Sequence, residues 1–264
     1  MNPPILKLSN LTIGYKTQKA KIVVAKNIHL EFQKSKLIAL VGANGIGKST
    51  LLKTIIGFEK PLGGTIFLNQ KDLATITPDK LAKHISIVLT EKLPSSNLSV
   101  YQLIALGRQP YTNWIGRLSD LDKQIIDKVI QLTEIEEFVH KKHYQLSDGQ
   151  HQKVMIARSL AQDTEILILD EPTTHLDLLH KISILKLLKK LSQEIEKCIL
   201  FSTHEIDLAI EFCDEIIVMT TDKTQKDTPE NLIQNSVFDS LFTNETIVFD
   251  KEKRKFSLVQ TIVD

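Results

Sequence analysis

No apolar run in this sequence approaches the roughly 18 residues needed to cross a bilayer; the longest, such as residues 37–43, have the length of a strand. If the protein serves a membrane process, another chain does the crossing. Cysteine is scarce. Cys198 and Cys213 are the only two, fifteen apart, with neither CxxC nor Cys/His ligand spacing, which argues against a disulfide framework or a zinc site and for reduced thiols in a cytoplasmic protein. An excess of one charge is also missing: 33 basic against 32 acidic side chains leave a formal +1, so nothing electrostatic favours general nucleic-acid binding. The start, Met1-Asn2-Pro3-Pro4, lacks the basic and apolar stretches of a signal peptide, and export is not expected. Internal repeats and low-complexity linkers are lacking too.

What the chain does have is a core. Its 264 residues are 42% apolar, ample for one large domain or two small ones. Residues 5–13 and 28–32 alternate apolar and polar side chains (Leu6, Leu8; Ile28, Leu30, Phe32), the period of strands with one buried face. They predict peripheral antiparallel strands. Residues 37–41, 165–169, 197–201 and 215–219 are almost continuously apolar, as central strands buried on both faces must be. Helical stripes lie between them: Leu51, Leu52, Ile55 and Ile56, then Leu179, Ile182, Leu185 and Leu188. The alternation predicts an α/β fold around a mostly parallel sheet. Residues 97–162 carry only helical spacing (Val100, Leu103, Ile104; Ile125, Val129, Leu132) and read as a helical insertion. Residues 221–264 return to short mixed elements around Ile247, Phe249, Phe256 and Leu258 and read as an extension of the core.

The segment Gly42-Ala43-Asn44-Gly45-Ile46-Gly47-Lys48-Ser49 matches G-x-x-x-x-G-K-[ST], follows an apolar strand and opens a helix, the context this motif requires. Its glycines let backbone N–H groups turn inward around phosphate oxygens, and the helix start adds about half a positive charge. Lys48 can reach the β- and γ-phosphates of a nucleoside triphosphate, Ser49 offers a hydroxyl to Mg²⁺, and Thr50 can donate to the α-phosphate. The competing reading is a plain glycine-rich strand-to-helix turn. Further on, Asp170 ends the apolar run Ile166-Leu167-Ile168-Leu169, so its carboxylate is expected at the carboxyl edge of the sheet, where α/β folds collect ligands. It is the natural partner of the metal ion. Glu171 could accept a proton from an attacking water, a role worth about 10² to 10⁴ in rate. An acidic pair after a strand is often a helix cap, but Pro172-Thr173-Thr174 delay the next helix here.

Leu146-Ser147-Asp148-Gly149-Gln150, with the phosphate loop before it and Ile166 to Pro172 after it, resembles the ATP-binding-cassette (ABC) family of transporter ATPase subunits over nearly the whole chain. The resemblance implies a P-loop NTPase of ABC-ATPase fold with a mostly parallel core sheet, an antiparallel β subdomain and a helical subdomain. The whole chain, 1–264, would be a single ABC ATPase domain: a RecA-like core plus β subdomain over about 1–96 and 163–264, and a helical subdomain over about 97–162. In that family the signature segment starts a helix and binds the γ-phosphate held by the opposite subunit. Ser147, Gly149 and Gln150 would then touch a nucleotide cradled by a second copy. Ser147 as an ordinary helix cap is the competing reading, although it leaves the companion motifs unexplained.

Other positions follow from the same likeness. Tyr15 resembles the aromatic that stacks on adenine, against a plain strand-end tyrosine. His204 sits where the family has its switch histidine, which contacts the γ-phosphate and helps orient water. Thr174-His175-Leu176-Asp177 resembles the loop that couples the two sites of the dimer, with Asp177 its most telling residue. His140, His143, His151, His175 and His180 find no such slot and are expected in solvent. Two positions depart from the family. Glu91 stands where a glutamine usually contacts Mg²⁺ and senses the membrane partner, and Asp148 replaces a glycine close to the γ-phosphate. Neither removes Lys48, Asp170, Glu171 or His204, so the resemblance still implies an ATPase using ATP and Mg²⁺.

Residues 105–111, Ala-Leu-Gly-Arg-Gln-Pro-Tyr, followed by Ser119, Asp120 and Asp122, look like the ATPase subunits that import iron-siderophore complexes, haem or cobalamin. In the plainer reading, Gly107 and Pro110 merely end a helix. The importer likeness implies a homodimer lying peripherally on the cytoplasmic face of the inner (cell) membrane and working through integral permease subunits. A periplasmic or lipoprotein substrate-binding protein would be an indirect partner, and nucleic acid none. Two other classes stay open: a soluble ABC ATPase acting on ribosomes or DNA, and an ATP-gated binding module with little turnover.

Overall fold

The structure is a computed structural model that describes residues 3–17, 20–89, 96–241 and 247–258. A four-stranded antiparallel sheet is built from β1 (Leu6–Lys16), β2 (Lys21–Phe32), β4 (Gly63–Leu68) and β5 (Lys71–Asp72), in the order β2-β1-β4-β5. Leu6, Leu8, Leu11 and Ile13 of β1 point into the core, with register shifts after Leu8 that keep the inward residues inward. The strand β2 begins well before the alternation at residue 28. Its first half, although it includes the apolar run Ile22 to Ala25, is exposed or half-buried and is recruited by pairing with β1.

The second sheet has the order β10-β9-β3-β8-β7-β6. Its strands are β3 (Leu37–Gly42), β6 (Ile85–Val88), β7 (Ile166–Leu169), β8 (Cys198–Ser202), β9 (Glu215–Met219) and β10 (Thr224–Asp227). All neighbours are parallel except β10, which returns antiparallel on β9. The four predicted central strands are all present, and their alternation divides them between two cores. Leu37, Ala39, Val41, Leu167, Leu169, Ile199 and Phe201 face one cluster with the large helices. Ile38, Leu40, Ile166, Ile168, Leu200 and Ile217 face the other, shared with the antiparallel sheet and α1 (Lys48–Ile55). Continuous apolarity is thus two period-2 patterns superposed. The short α2 (Pro78–Leu81) precedes β6.

Residues 97–162 hold α3 (Val100–Ala105), α4 (Asp120–Thr133) and α5 (Asp148–Ala161), with no named strand among the described residues. Ser99, Ser119 and Ser147 start these helices with reciprocal capping boxes. Arg108 is buried between them. Its Nε donates to Asp122 Oδ1 at 2.7 Å, its Nη1 to the Ala161 carbonyl at 2.8 Å, and its guanidinium lies 4.0 Å from the Tyr111 ring centre. Asp122 also accepts from the Ser119 N–H and hydroxyl, and the Ser119 hydroxyl is first among the causes holding its carboxyl below the usual range. The stretch from Arg108 to Asp122 is therefore a staple that closes the helical layer.

After β7 comes α6 (Leu178–Glu194), after β8 comes α7 (Ile206–Phe212), and after β10 comes α8 (Pro229–Gln234). A hairpin of β11 (Ile247–Asp250) and β12 (Lys255–Leu258) packs Phe249 between Phe238 and Phe256. Two expectations need correction. In α6 the buried face is Ile184, Leu185, Leu187, Leu188 and Leu191, while Leu179 is exposed and Ile182 half-buried, because the first turn projects beyond the sheet edge. His143 is not in solvent either. It is buried, and its Nε2 accepts from the Ser96 N–H at 3.2 Å.

Candidate functional site

The turn from β3 into α1 needs Gly47 where it stands. Its φ is +111, and a methyl there would fall 2.2 Å from Val24 Cγ1. With no side chain to cap it, the first turn of α1 leaves backbone N–H groups open to an anion. Lys48 is buried, and its ammonium donates to the Gly42 and Ala43 carbonyls at 3.0 and 3.2 Å, across the loop. Burial pushes its pKa down, while Glu171 and Asp170 pull it back up. The Lys48 charge is therefore held in a partly dry site facing two carboxylates.

The order β3-β8-β7 sets the rest. The carboxyl end of β3 delivers Ser49 through the loop, and that of β7 delivers Asp170. The Ser49 hydroxyl donates to Asp170 Oδ1 at 3.3 Å, joining residues 121 apart in sequence. Two oxygen donors of this kind fit a small hard cation. Glu171 adopts a left-handed backbone with φ +48, uncommon outside glycine, and its N–H donates to the Ser202 hydroxyl at 2.9 Å. This turn swings the Glu171 carboxylate to His204, with Oε1 2.8 Å from Nε2, and Oε2 accepts from the Thr174 hydroxyl at 3.1 Å. The Ser202 hydroxyl in turn donates to Asp170 Oδ1 at 2.6 Å. One buried serine thus clamps both acidic residues. Ser202 was missed by sequence reasoning; its only signal is a polar residue ending the apolar strand Cys198 to Phe201, next to the Asp170 strand.

The remaining candidates lie around this centre. Asn44 and Gly45 are exposed and Ile46 half-buried at the loop crest. The Tyr15 hydroxyl meets the Thr50 hydroxyl at 2.5 Å and its ring is partly exposed beside the loop. Ser147 caps α5: its Oγ accepts from the Gln150 N–H at 3.3 Å, and Gln150 Oε1 accepts from the Ser147 N–H. The cap uses a lone pair of the hydroxyl and leaves its proton for an external acceptor. Gly149 is buried, whereas Asp148 is exposed. Among the described residues no hydrogen bond or ion pair joins Ser147, Gly149 or Gln150 to Lys48 or Glu171, although Asp148 of the same segment lines a small cavity with Asp170 and Glu171. Asp177 caps α6, and the His180 backbone N–H and ring hold its carboxyl below the usual range. Glu91 lies outside the described residues.

Residues 25–174, more than half of the chain, match the ABC transporter family. The chain belongs to that family. An α/β cassette carrying nucleotide-binding loops and ATP hydrolysis as its activity follows from the membership. Among ABC relatives, an uncharacterized ABC transporter ATP-binding protein of Methanocaldococcus jannaschii is 39% identical over 90% of this chain and 81% of its own. The achromobactin transport ATP-binding protein CbrD of Dickeya dadantii is 36% identical over 79% and 76%. The petrobactin import ATP-binding protein FpuC of Bacillus anthracis is 32% identical over 88% and 85%. Of solved ABC structures, cbiO1 of Clostridium perfringens superposes with a TM-score of 0.78 at 30% identity, covering 89% of this chain and 92% of that one. A dimeric cassette in a post-hydrolysis state bound to ADP and Pi gives 0.71 at 29% identity, covering 85% and 98%. No helix among the described residues is long and apolar enough to cross a membrane.

Proposed function

We propose that this ABC cassette is the ATP-hydrolysing subunit of an importer, energising uptake of an iron chelate (siderophore), haem or cobalamin through a separate membrane permease. It works as a homodimer lying peripherally on the cytoplasmic face of the cell membrane, with a substrate-binding protein acting outside that it never touches. The observation that carries the catalytic half is the convergence of Lys48, Ser49, Asp170, Glu171 and His204 at the carboxyl edge of one sheet. The importer half is supported by relatives named for achromobactin transport and petrobactin import. The chain is one domain: a RecA-like core with its β subdomain, and the helical subdomain of about 97–162.

Lys48 exchanges its two carbonyl partners for the β- and γ-phosphates of ATP, and the phosphate charge favours the protonated ammonium that burial disfavours. Gly42 to Thr50 supply the N–H cradle, and Tyr15 lies against the base. Ser49 and Asp170 are the oxygen donors suited to Mg²⁺, which when bound neutralises charge on the β- and γ-phosphates; Glu91 would be a further donor. Glu171 takes the proton of the attacking water, and His204, hydrogen-bonded to it, fixes the carboxylate's direction and touches the γ-phosphate. The tip of α5 from a second copy, with Ser147, Gly149 and Gln150, closes on the same phosphate, and Asp177 links the two sites. Asp148, beside them at the same tip, is exposed. On the side of β6, a cleft of about 820 Å³ lined by Ile56, Phe58, Leu73, Leu81 and Ile87 suits an apolar helix of the permease.

The test is Glu171→Gln. The variant should bind ATP, release no phosphate and accumulate as a dimer, while the wild type turns over and co-purifies with polytopic membrane subunits. A wild type as inactive as the variant would remove the catalytic reading. A functional preparation that brings down no membrane subunit would remove the importer.

A further inference from the structure

We propose that the first turn of α6 is a strut that positions both phosphate-sensing elements of the chain, with His180 holding the signature tip at Gly149 and Lys181 holding the His204 loop. His180 Nδ1 lies 2.8 Å from both carboxylate oxygens of Asp177, and the Asp177 Oδ1 also accepts the His180 backbone N–H at 2.9 Å. The ring is thereby locked over α5. A methyl added to Gly149 would sit 2.4 Å from His180 Cδ2 and 3.2 Å from Nε2, and the three atoms nearest that position all belong to His180. Gly149 is buried although its neighbours Ser147 and Asp148 are exposed, and this imidazole is what covers it.

One residue on, Lys181 pairs with Glu205, the residue after His204. The Glu205 N–H donates to the Thr203 hydroxyl at 3.0 Å, so the loop carrying His204 is pinned from both sides. Consecutive residues on a helix point about 100° apart, which lets a single turn reach two separate loops. The strut rests on the sandwich reading above for its purpose: the α5 tip must arrive at the second copy's γ-phosphate already formed, because a tip ordered on contact would cost part of the closure energy. His180 is thus a positioning residue acting through Gly149 and Asp177.

The direct test needs no closure. Amide hydrogen exchange in the purified chain should quicken about fivefold or more at residues 148–151 in His180→Ala. Residues 184–191 should be unchanged, and His180→Asn, which keeps a donor for Asp177, should restore the slow rate. Equal exchange in all three proteins overturns the proposal. Functionally, ATP-driven dimerisation in the Glu171→Gln background should need about fivefold more ATP once His180→Ala is added, with ADP binding to the single chain unchanged. In the hydrolysing protein, His180→Ala should raise KM for ATP while Lys181→Ala lowers kcat. An equal loss of both parameters in both variants would overturn the two-footed strut. If Glu171→Gln stays monomeric with intact His180, the sandwich reading fails, and the exchange rates still decide the strut.

Discussion

Replacing Ser202 by alanine removes one oxygen and touches both acidic residues. That oxygen is fully buried, donates to Asp170 Oδ1 at 2.6 Å and accepts the Glu171 N–H at 2.9 Å. The lost hydrogen bond to a carboxylate is worth about 1.5–3 kcal/mol, and the stranded N–H adds about 1 kcal/mol or more, so a destabilisation of about 2–4 kcal/mol is expected. In a chain of this size that lowers Tm by roughly 5–15 °C. The effect on activity comes from aim. Asp170 loses its shortest side-chain hydrogen bond and keeps the longer 3.3 Å contact with Ser49, and Glu171 loses the bond that anchors its left-handed backbone. Partners that orient metal ligands typically cost about 10- to 100-fold in metal affinity or activity when removed. Phosphate release measured across a magnesium titration, below the variant's melting range, should therefore show a kcat lowered by about that factor and a raised magnesium requirement. A folded Ser202→Ala protein with kcat within about twofold of wild type and an unshifted magnesium midpoint would refute the clamp.

Arg108→Ala should destabilise the chain by about 3–5 kcal/mol, because it leaves the Asp122 carboxylate buried without its cation; calorimetry or a denaturant melt reads this, and a loss under about 1 kcal/mol would refute it. Acid should act through the same pair. The Asp122 pKa is depressed in the folded chain, so its contribution is complete above the unfolded value of about 3.9 and disappears as pH falls through the lower folded value. Asp122→Asn should thus flatten the fall of Tm below about pH 4, and a slope equal to wild type would contradict the assignment.

Much of the architecture was legible because it is periodic. Residues 37–41 and 166–169 are apolar on both faces only because they lie between two cores, and the phosphate loop sits on the strand-turn-helix that its motif demands. Less was legible where contacts outweigh pattern. The first half of β2 has no buried face to announce it. His143 reads as any polar residue until Ser96 folds over it, and Arg108 and Asp122 read only as parts of an importer-like segment, with nothing to show that they meet as a buried pair. The α6 stripe starts a turn late because its first residues serve loops at the sheet edge instead of the core.

The candidate site divides along the same line. Local sequence determined that there would be a phosphate cradle at Gly42 to Ser49, an acidic strand end at Asp170 and a capped helix at Ser147, since each is set by residues within a few positions of one another. Tertiary structure alone decided that Ser49 meets Asp170, that Ser202 clamps Asp170 and Glu171, and that His180 covers Gly149. Those meetings depend on which strands lie side by side, and strand order is chosen by the burial of whole faces, a sum over the chain that no short stretch of residues encodes.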